Sequence, residues 1–242
     1  MRSIAPVFAI CAVLVLGGCS HAPGYPPNPI LRPSQVMDFA TLYKQNCAAC
    51  HGANGQNGPA MDLANPEYQA LVDDATLRQW ISDGMPGTEM PAFARSEGGM
   101  LTDAQIDALI RGMRTQWLTS NVFGPATPPM YAQTEAGDAG RGGKLYEAHC
   151  AGCHQPTLQQ IMSPDYLALV GNQALRTMIV AGRPDIGQPD WRHDSPGGKL
   201  TSPLTAQEVD DVVWYLASLR SGTEEAATTP VPADRVTAPK GR

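Results

Sequence analysis

The pattern Cys-x-x-Cys-His occurs twice in the chain, as Cys47-Ala48-Ala49-Cys50-His51 and as Cys150-Ala151-Gly152-Cys153-His154. No other feature constrains the fold as strongly. Two thiols one helical turn apart can bond the vinyl groups along one porphyrin edge, and the adjacent imidazole then reaches the iron from one face. The pattern is that of c-type haem attachment. Two other chemistries use the same residues. Zinc pairs typically lie about 15–20 residues apart, whereas these copies are 103 apart, each with its own His. A thioredoxin-like pair wants a βαβ context, and neither copy has one. The reading is two covalently bound haem c groups.

The surroundings of the motifs repeat as well. At an offset of 103, Leu42-Tyr43 falls on Leu145-Tyr146 and Leu101-Thr102 on Leu204-Thr205. Between these anchors the offset is 98: Asp74 meets Asn172, Leu77-Arg78 meets Leu175-Arg176, Gly84 meets Gly182 and Pro86 meets Pro184. The second copy is therefore five residues shorter before this loop and five longer after it. Apolar periodicity predicts a helix from near Gln35 or Val36 into the first motif, with Phe39, Leu42 and Tyr43 on one face. A second helix is expected from Asp74 as N-cap to Gly84, and its copy from Asn172 as cap to Gly182. The capping boxes Thr102-x-x-Gln105 and Thr205-x-x-Glu208 open the last helix of each copy. Trp80, Met113, Trp117 and Trp214 fall on these helices and read as core.

The iron's sixth position is where the copies part. At the 98 offset, Met90-Pro91-Ala92-Phe93 pairs with Gln188-Pro189-Asp190-Trp191. A thioether is a soft ligand that raises haem potential and closes the site, whereas an amide oxygen is a hard, weak one. The two haems are expected to differ.

Each copy resembles a class I cytochrome c domain, over residues 36–118 and 138–220, and the whole chain resembles a bacterial diheme cytochrome c of the lipoprotein type. The resemblance implies an all-α fold, two tandem domains of three to four helices, each around a covalently bound haem. Carried onto this sequence, it makes Cys47, Cys50, Cys150 and Cys153 the haem-binding thiols and His51 and His154 the proximal ligands. A Met before Pro is distal in that family. Met85 and Met90 both qualify. Met90 is preferred because its loop runs on to Phe93 as the second runs on to Trp191, while Met85 pairs with Arg183. The second domain has no Met at that position, and two readings stand. His193 would lie opposite Met90 if the 103 offset held, giving a bis-His haem; alternatively Gln188 fills the site weakly or leaves it open. Met178 lies inside a helix, and Met162 is only eight residues past His154, an awkward reach to the opposite face.

The ends of the chain speak to location. Residues 1–18 carry Arg2 and an apolar run closing on Leu16-Gly17-Gly18-Cys19, a secretory signal that is short for a membrane span and resembles a lipobox. Lipid on Cys19 would anchor the mature protein on the periplasmic side of a bacterial membrane. Residues 19–35 hold five prolines and form a semi-extended tether, with a reach of roughly 45–50 Å at about 3.1 Å per residue. Residues 119–137 are a Pro- and Gly-rich linker, and residues 221–242 are an aperiodic tail expected to be disordered. No cysteine is left for a structural disulfide, because Cys11 lies in the apolar run and Cys19 ends it. The net charge of −6 argues against nucleic acid as partner.

The resemblance implies an electron relay, and more an electron carrier than an enzyme. The expected partners are a quinol-oxidising complex, an oxidase, a photosynthetic reaction centre or a soluble cytochrome. Two further readings follow from the same residues. One is a haem enzyme or ligand sensor, peroxidase-like or sulfur-oxidising, built on the second haem without its Met; the other is a haem subunit of a larger respiratory complex.

Overall fold

The computed structural model describes residues 31–132, 135–154, 159–193 and 200–220. The expected signal, Cys19, most of the tether and the C-terminal tail lie outside the described residues. The chain divides into a unit up to Val36 and a second from Met37 onward. In the first, Pro33–Gln35 form a single 3-10 turn, and Gln35 Oε1 accepts from the Arg32 N–H at 2.9 Å. The second unit holds both haem motifs.

The second unit is helical, and among the described residues no strand forms. The first half runs α1 (Phe39–Asn46), α2 (Ala48–His51), α3 (Pro66–Leu71), α4 (Asp74–Asp83) and α5 (Asp103–Trp117). The second half repeats it as α6 (Ala139–His149), α7 (Ala151–His154), α8 (Pro164–Leu169), α9 (Asn172–Ala181) and α10 (Ala206–Ser218). Among the described residues, no helix is long and apolar enough to cross a membrane.

The caps explain where helices begin. Asp38 accepts from Thr41 N at 2.8 Å, so α1 starts at Phe39 and not at Gln35 or Val36. Asp73 takes the cap expected of Asp74, accepting from Thr76 N at 2.7 Å, and Gly171 precedes α9 where Asn172 was expected to cap. Both predicted capping boxes form. The short helices α3 and α8 were not anticipated. Each opens on Asn-Pro or Ser-Pro, a polar cap followed by a proline whose missing N–H costs nothing at the first helical position.

Each half closes by crossing its first and last helices, α1 on α5 and α6 on α10. The two crossings are built in opposite senses. In the first, Gly112 of α5 leaves the space that Phe39 of α1 fills: a Cβ on Gly112 would sit 2.1 Å from the Phe39 ring. In the second, the glycine is Gly142 of α6, where a Cβ would come within 1.9 Å of the Asp211 carbonyl oxygen and 2.9 Å of Tyr215. At the 103 offset Phe39 corresponds to Gly142 and Gly112 to Tyr215. Hole and knob have changed helices.

In each half an arginine on the last helix, or just past its end, reaches the end of the short helix. Arg114 donates to the carbonyls of Gln69 and Val72 (2.6 Å to the latter) and to Asp74 (2.7 Å). Arg220, three residues beyond the corresponding position, donates to Leu167 O (2.8 Å), Val170 O (2.6 Å) and Asn172 Oδ1 (2.6 Å). These partners lie 98 residues after their counterparts. The same carbonyls at the end of the short helix are satisfied from within α5 in one half and from just past the end of α10 in the other.

The halves pack on each other through side chains of both and through the linker. Leu71 of the first half and Phe123 and Ala126 of the linker cover a core of Val180, Trp191, Leu204 and Val209. Met130 O of the linker accepts from Arg176 Nε and Nη2 at 3.1 and 2.9 Å. Buried Asn65, the cap of α3, donates across the boundary to Ala181 O and Gly182 O at 2.9 and 3.1 Å.

Candidate haem sites

Both motifs present their side chains from the same local fold. Cys47 and Cys150 break the incoming helix, and a single turn then carries the second Cys and the His. Cys50 N donates to Cys47 O at 3.2 Å and His51 N to Cys47 O at 2.9 Å; the matching bonds to Cys150 O measure 3.2 and 3.1 Å. Cys47 and Cys50 carry free thiols. Burial, then the adjacent Cys50, pushes the Cys47 thiol up to about 12, so it is protonated at neutral pH.

The imidazoles fit a haem. His51 Nδ1 lies 2.8 Å from Met61 O. A carbonyl can only accept, so Nδ1 carries the proton and Nε2 is the bare, metal-ligating nitrogen. Burial lowers the His51 pKa, Met61 O opposes this, and the nearby Arg183 lowers it further. In the second site His154 is also lowered by burial. Its Nδ1 is buried and finds no hydrogen-bond partner among the described residues. Two thiols and a neutral imidazole are the donor set that haem c requires.

The loops expected to carry the sixth ligands superpose in their hydrogen bonding. Met85 N donates to Met90 O at 3.1 Å, and Arg183 N donates to Gln188 O at 3.0 Å. Gly84 and Gly182 open these loops at φ +72° and +71°, and a Cβ on either would strike the carbonyl of residue 90 or 188 within 2.9 Å. Further on, Leu101 N donates to Phe93 O (2.8 Å) and Leu204 N to Trp191 O (3.0 Å). Met90 and Gln188 are therefore structural counterparts, as are Phe93 and Trp191. The five extra residues lie between Trp191 and Leu204.

Met90 is half-buried in its loop. Gln188 turns inward, donating through Nε2 to Met178 O at the end of α9 at 2.7 Å. His193 lies past Trp191, on the lengthened segment. Its side chain is 66% exposed and its Nδ1 sits 2.9 Å from Asp190 Oδ1. Met162 packs in the core beside Leu167 and Leu175.

One group of residues was not singled out by the sequence. Arg183 and Asp185 form a two-pronged ion pair at 2.8 Å for each bond, with side chains 7% and 0% exposed. They lie against the first half: Asp185 Oδ2 accepts from Asn57 N at 2.8 Å, and Arg183 Nη2 donates to Gly58 O at 3.3 Å. Asp62 lies close by, 2% exposed, with Oδ1 unpartnered among the described residues. Burial, then Asp185, pushes its carboxyl up to about 6. The one sequence hint was that Arg183-Pro184-Asp185 replaces Met85-Pro86-Gly87.

Comparison with known proteins agrees with this geometry. Residues 34–111 match the family model for cytochrome c oxidase, cbb3-type, subunit III, and residues 139–220 match the model for cytochrome c. The chain is built of two cytochrome c domains in tandem, the arrangement of a diheme cytochrome c. It is 27% identical over 192 residues to a cbb3-type cytochrome c oxidase subunit CcoP of Azospirillum sp., covering 73% of this chain and 56% of that subunit. It is 30% identical over 122 residues to a cytochrome bc1 complex cytochrome c subunit of Mycobacterium tuberculosis, covering 48% and 41%. A dihydro-heme d1 dehydrogenase of Pseudomonas aeruginosa matches at 42% over 69 residues, 28% of this chain and 13% of that enzyme. The chain spans between 13% and 56% of these three relatives' lengths. No solved structure matches it at a significant level.

Proposed function

We propose that the protein binds two haem c groups and relays electrons between respiratory redox partners on the periplasmic face of a membrane, held there by lipid on Cys19. The haems supply the one-electron chemistry. The chain supplies Cys47, Cys50 and His51 with Met90 to the first, and Cys150, Cys153 and His154 to the second. The observation that carries the reading is the paired construction of the motifs, with the His51 tautomer set by Met61 O. Resemblance to subunits of cbb3 oxidase and bc1 complexes favours a donor or acceptor of that class. It equally suits a haem subunit within such a complex.

The second haem's sixth position is assigned to Gln188 or left open, in preference to His193. The loop pairing supports this, because Gln188 occupies Met90's place whereas His193 is turned outward onto Asp190. A Gln188 amide already engaged by Met178 O is a weak ligand, which keeps a ligand-binding or enzymatic second site as the alternative reading. EPR and visible spectra of the oxidised protein test both assignments. Met90→Ala should convert one low-spin haem to high spin, and His193→Ala should leave both spectra unchanged. Loss of a low-spin haem in His193→Ala would establish the bis-His reading instead.

A further inference from the structure

We propose that Arg183 and Asp185, carried by the second domain, are positioning residues for the first domain's haem, bracing the backbone behind His51 and setting the charge there. The proposal rests on Cys47, Cys50 and His51 holding that haem.

The path from Arg183 to His51 is short and continuous. Arg183 donates to Gly58 O. Gly58 itself lies directly on the haem motif: a Cβ there would come 2.3 Å from Cys50 O and 2.6 Å from the His51 carbonyl carbon. Asp185 grips the preceding residue through Asn57 N. On the other side of the same loop, Met61 O orients His51, and Asp62 follows it into the interior. The loop behind the proximal histidine is thus clamped by a fork from the other domain. Met85 and Gly87, the first domain's counterparts of the pair, carry no charge.

A buried ion pair is a poor source of stability, because desolvation offsets most of its attraction. Its effect on charge is strong for the same reason, since low polarizability leaves the field unscreened. Reduction of a haem adds one electron and lowers its charge by one. A guanidinium nearby favours that step and a carboxylate opposes it. Either partner alone would shift the first haem, in opposite directions, while the intact pair holds it between.

Spectroelectrochemical titration of the full, haem-loaded chain tests this. The first-domain component is the one missing from Cys47→Ala/Cys50→Ala. At a fixed solution potential, Arg183→Met should raise that component's oxidised-to-reduced ratio by about fivefold, and Asp185→Asn should lower it by a similar factor. Arg183→Lys keeps the charge without the fork, so it should shift the ratio less than Arg183→Met; it also serves if the latter folds poorly. Shifts of the same sign in both single variants, a shift confined to the other component, or none, would overturn the proposal. Retention of both components in Cys47→Ala/Cys50→Ala would instead remove the attachment reading on which it rests.

Discussion

Arg78–Asp107 and Arg176–Asp210 are one ion pair built twice, since the arginines are 98 residues apart and the aspartates 103. In the first half the side chains are 38% and 44% exposed; in the second, each is 1% exposed. The difference is the linker. Met130 O closes over Arg176 and takes two of its N–H groups. The same two residue types in the same helices are therefore a solvated surface feature in one domain and a sealed network in the other. What a repeated contact contributes is decided by the chain that passes over it.

Breaking each pair in turn gives the largest contrast. Asp210→Ala leaves a buried guanidinium uncompensated and should cost about 3–5 kcal/mol. Asp107→Ala should cost about 0–1 kcal/mol, as exposed pairs do. Chemical denaturation of the holoprotein measures both. Equal losses would mean that linker coverage is irrelevant.

The helix crossings give the next contrast. Gly142→Ala drives a methyl into the Asp211 backbone and should cost about 1–3 kcal/mol. Gly112→Ala meets the Phe39 side chain, which can shift more readily than the Asp211 backbone of a helix; both variants gain about 1 kcal/mol of helix propensity, so the Gly112→Ala loss should be the smaller. The ranking of the two midpoints is the test.

A pH-dependent effect distinguishes the loops after the motifs, where Asp62 of the first half corresponds to Gln160 of the second. Asp62 is held near 6 against 3.8 for the free group, so the folded protein binds its proton more tightly than the unfolded chain. The ionised carboxylate is destabilising above about pH 6, and that cost fades as pH falls toward 4. Asp62→Asn should raise stability by about 2 kcal/mol at neutral pH, with the gain vanishing near pH 4 in the same denaturation series. A gain independent of pH would deny the cost of that charge.

The two Cys-x-x-Cys-His motifs, the capping boxes and the two offsets were legible in the sequence, because each is a local pattern. The start of α1 and the cap of α4 were misplaced since neighbouring polar residues compete for one cap, and only geometry chooses Asp38 or Asp73. His193 falls opposite Met90 only at the 103 offset, whereas the hydrogen bonds of residues 183–188 and 191–204 pair Gln188 with Met90. Arg220 standing in for Arg114 could not be seen by alignment, because it lies three residues past the corresponding position and beyond the end of α10. The contact of Arg183 and Asp185 with Asn57 and Gly58 joins residues more than a hundred positions apart, and no periodicity reports such a contact.

The exchanged glycines at the two helix crossings bear on how a chain with two similar halves sorts itself while folding. Were α1 to meet α10, Phe39 and Tyr215 would compete for one space. Were α6 to meet α5, Gly142 and Gly112 would face each other across a void. Either pairing forfeits the close fit on which a core depends. The correct partner is thus marked in both crossings by a glycine that only the matching helix fills, and shape disfavours the cross-matched chimera.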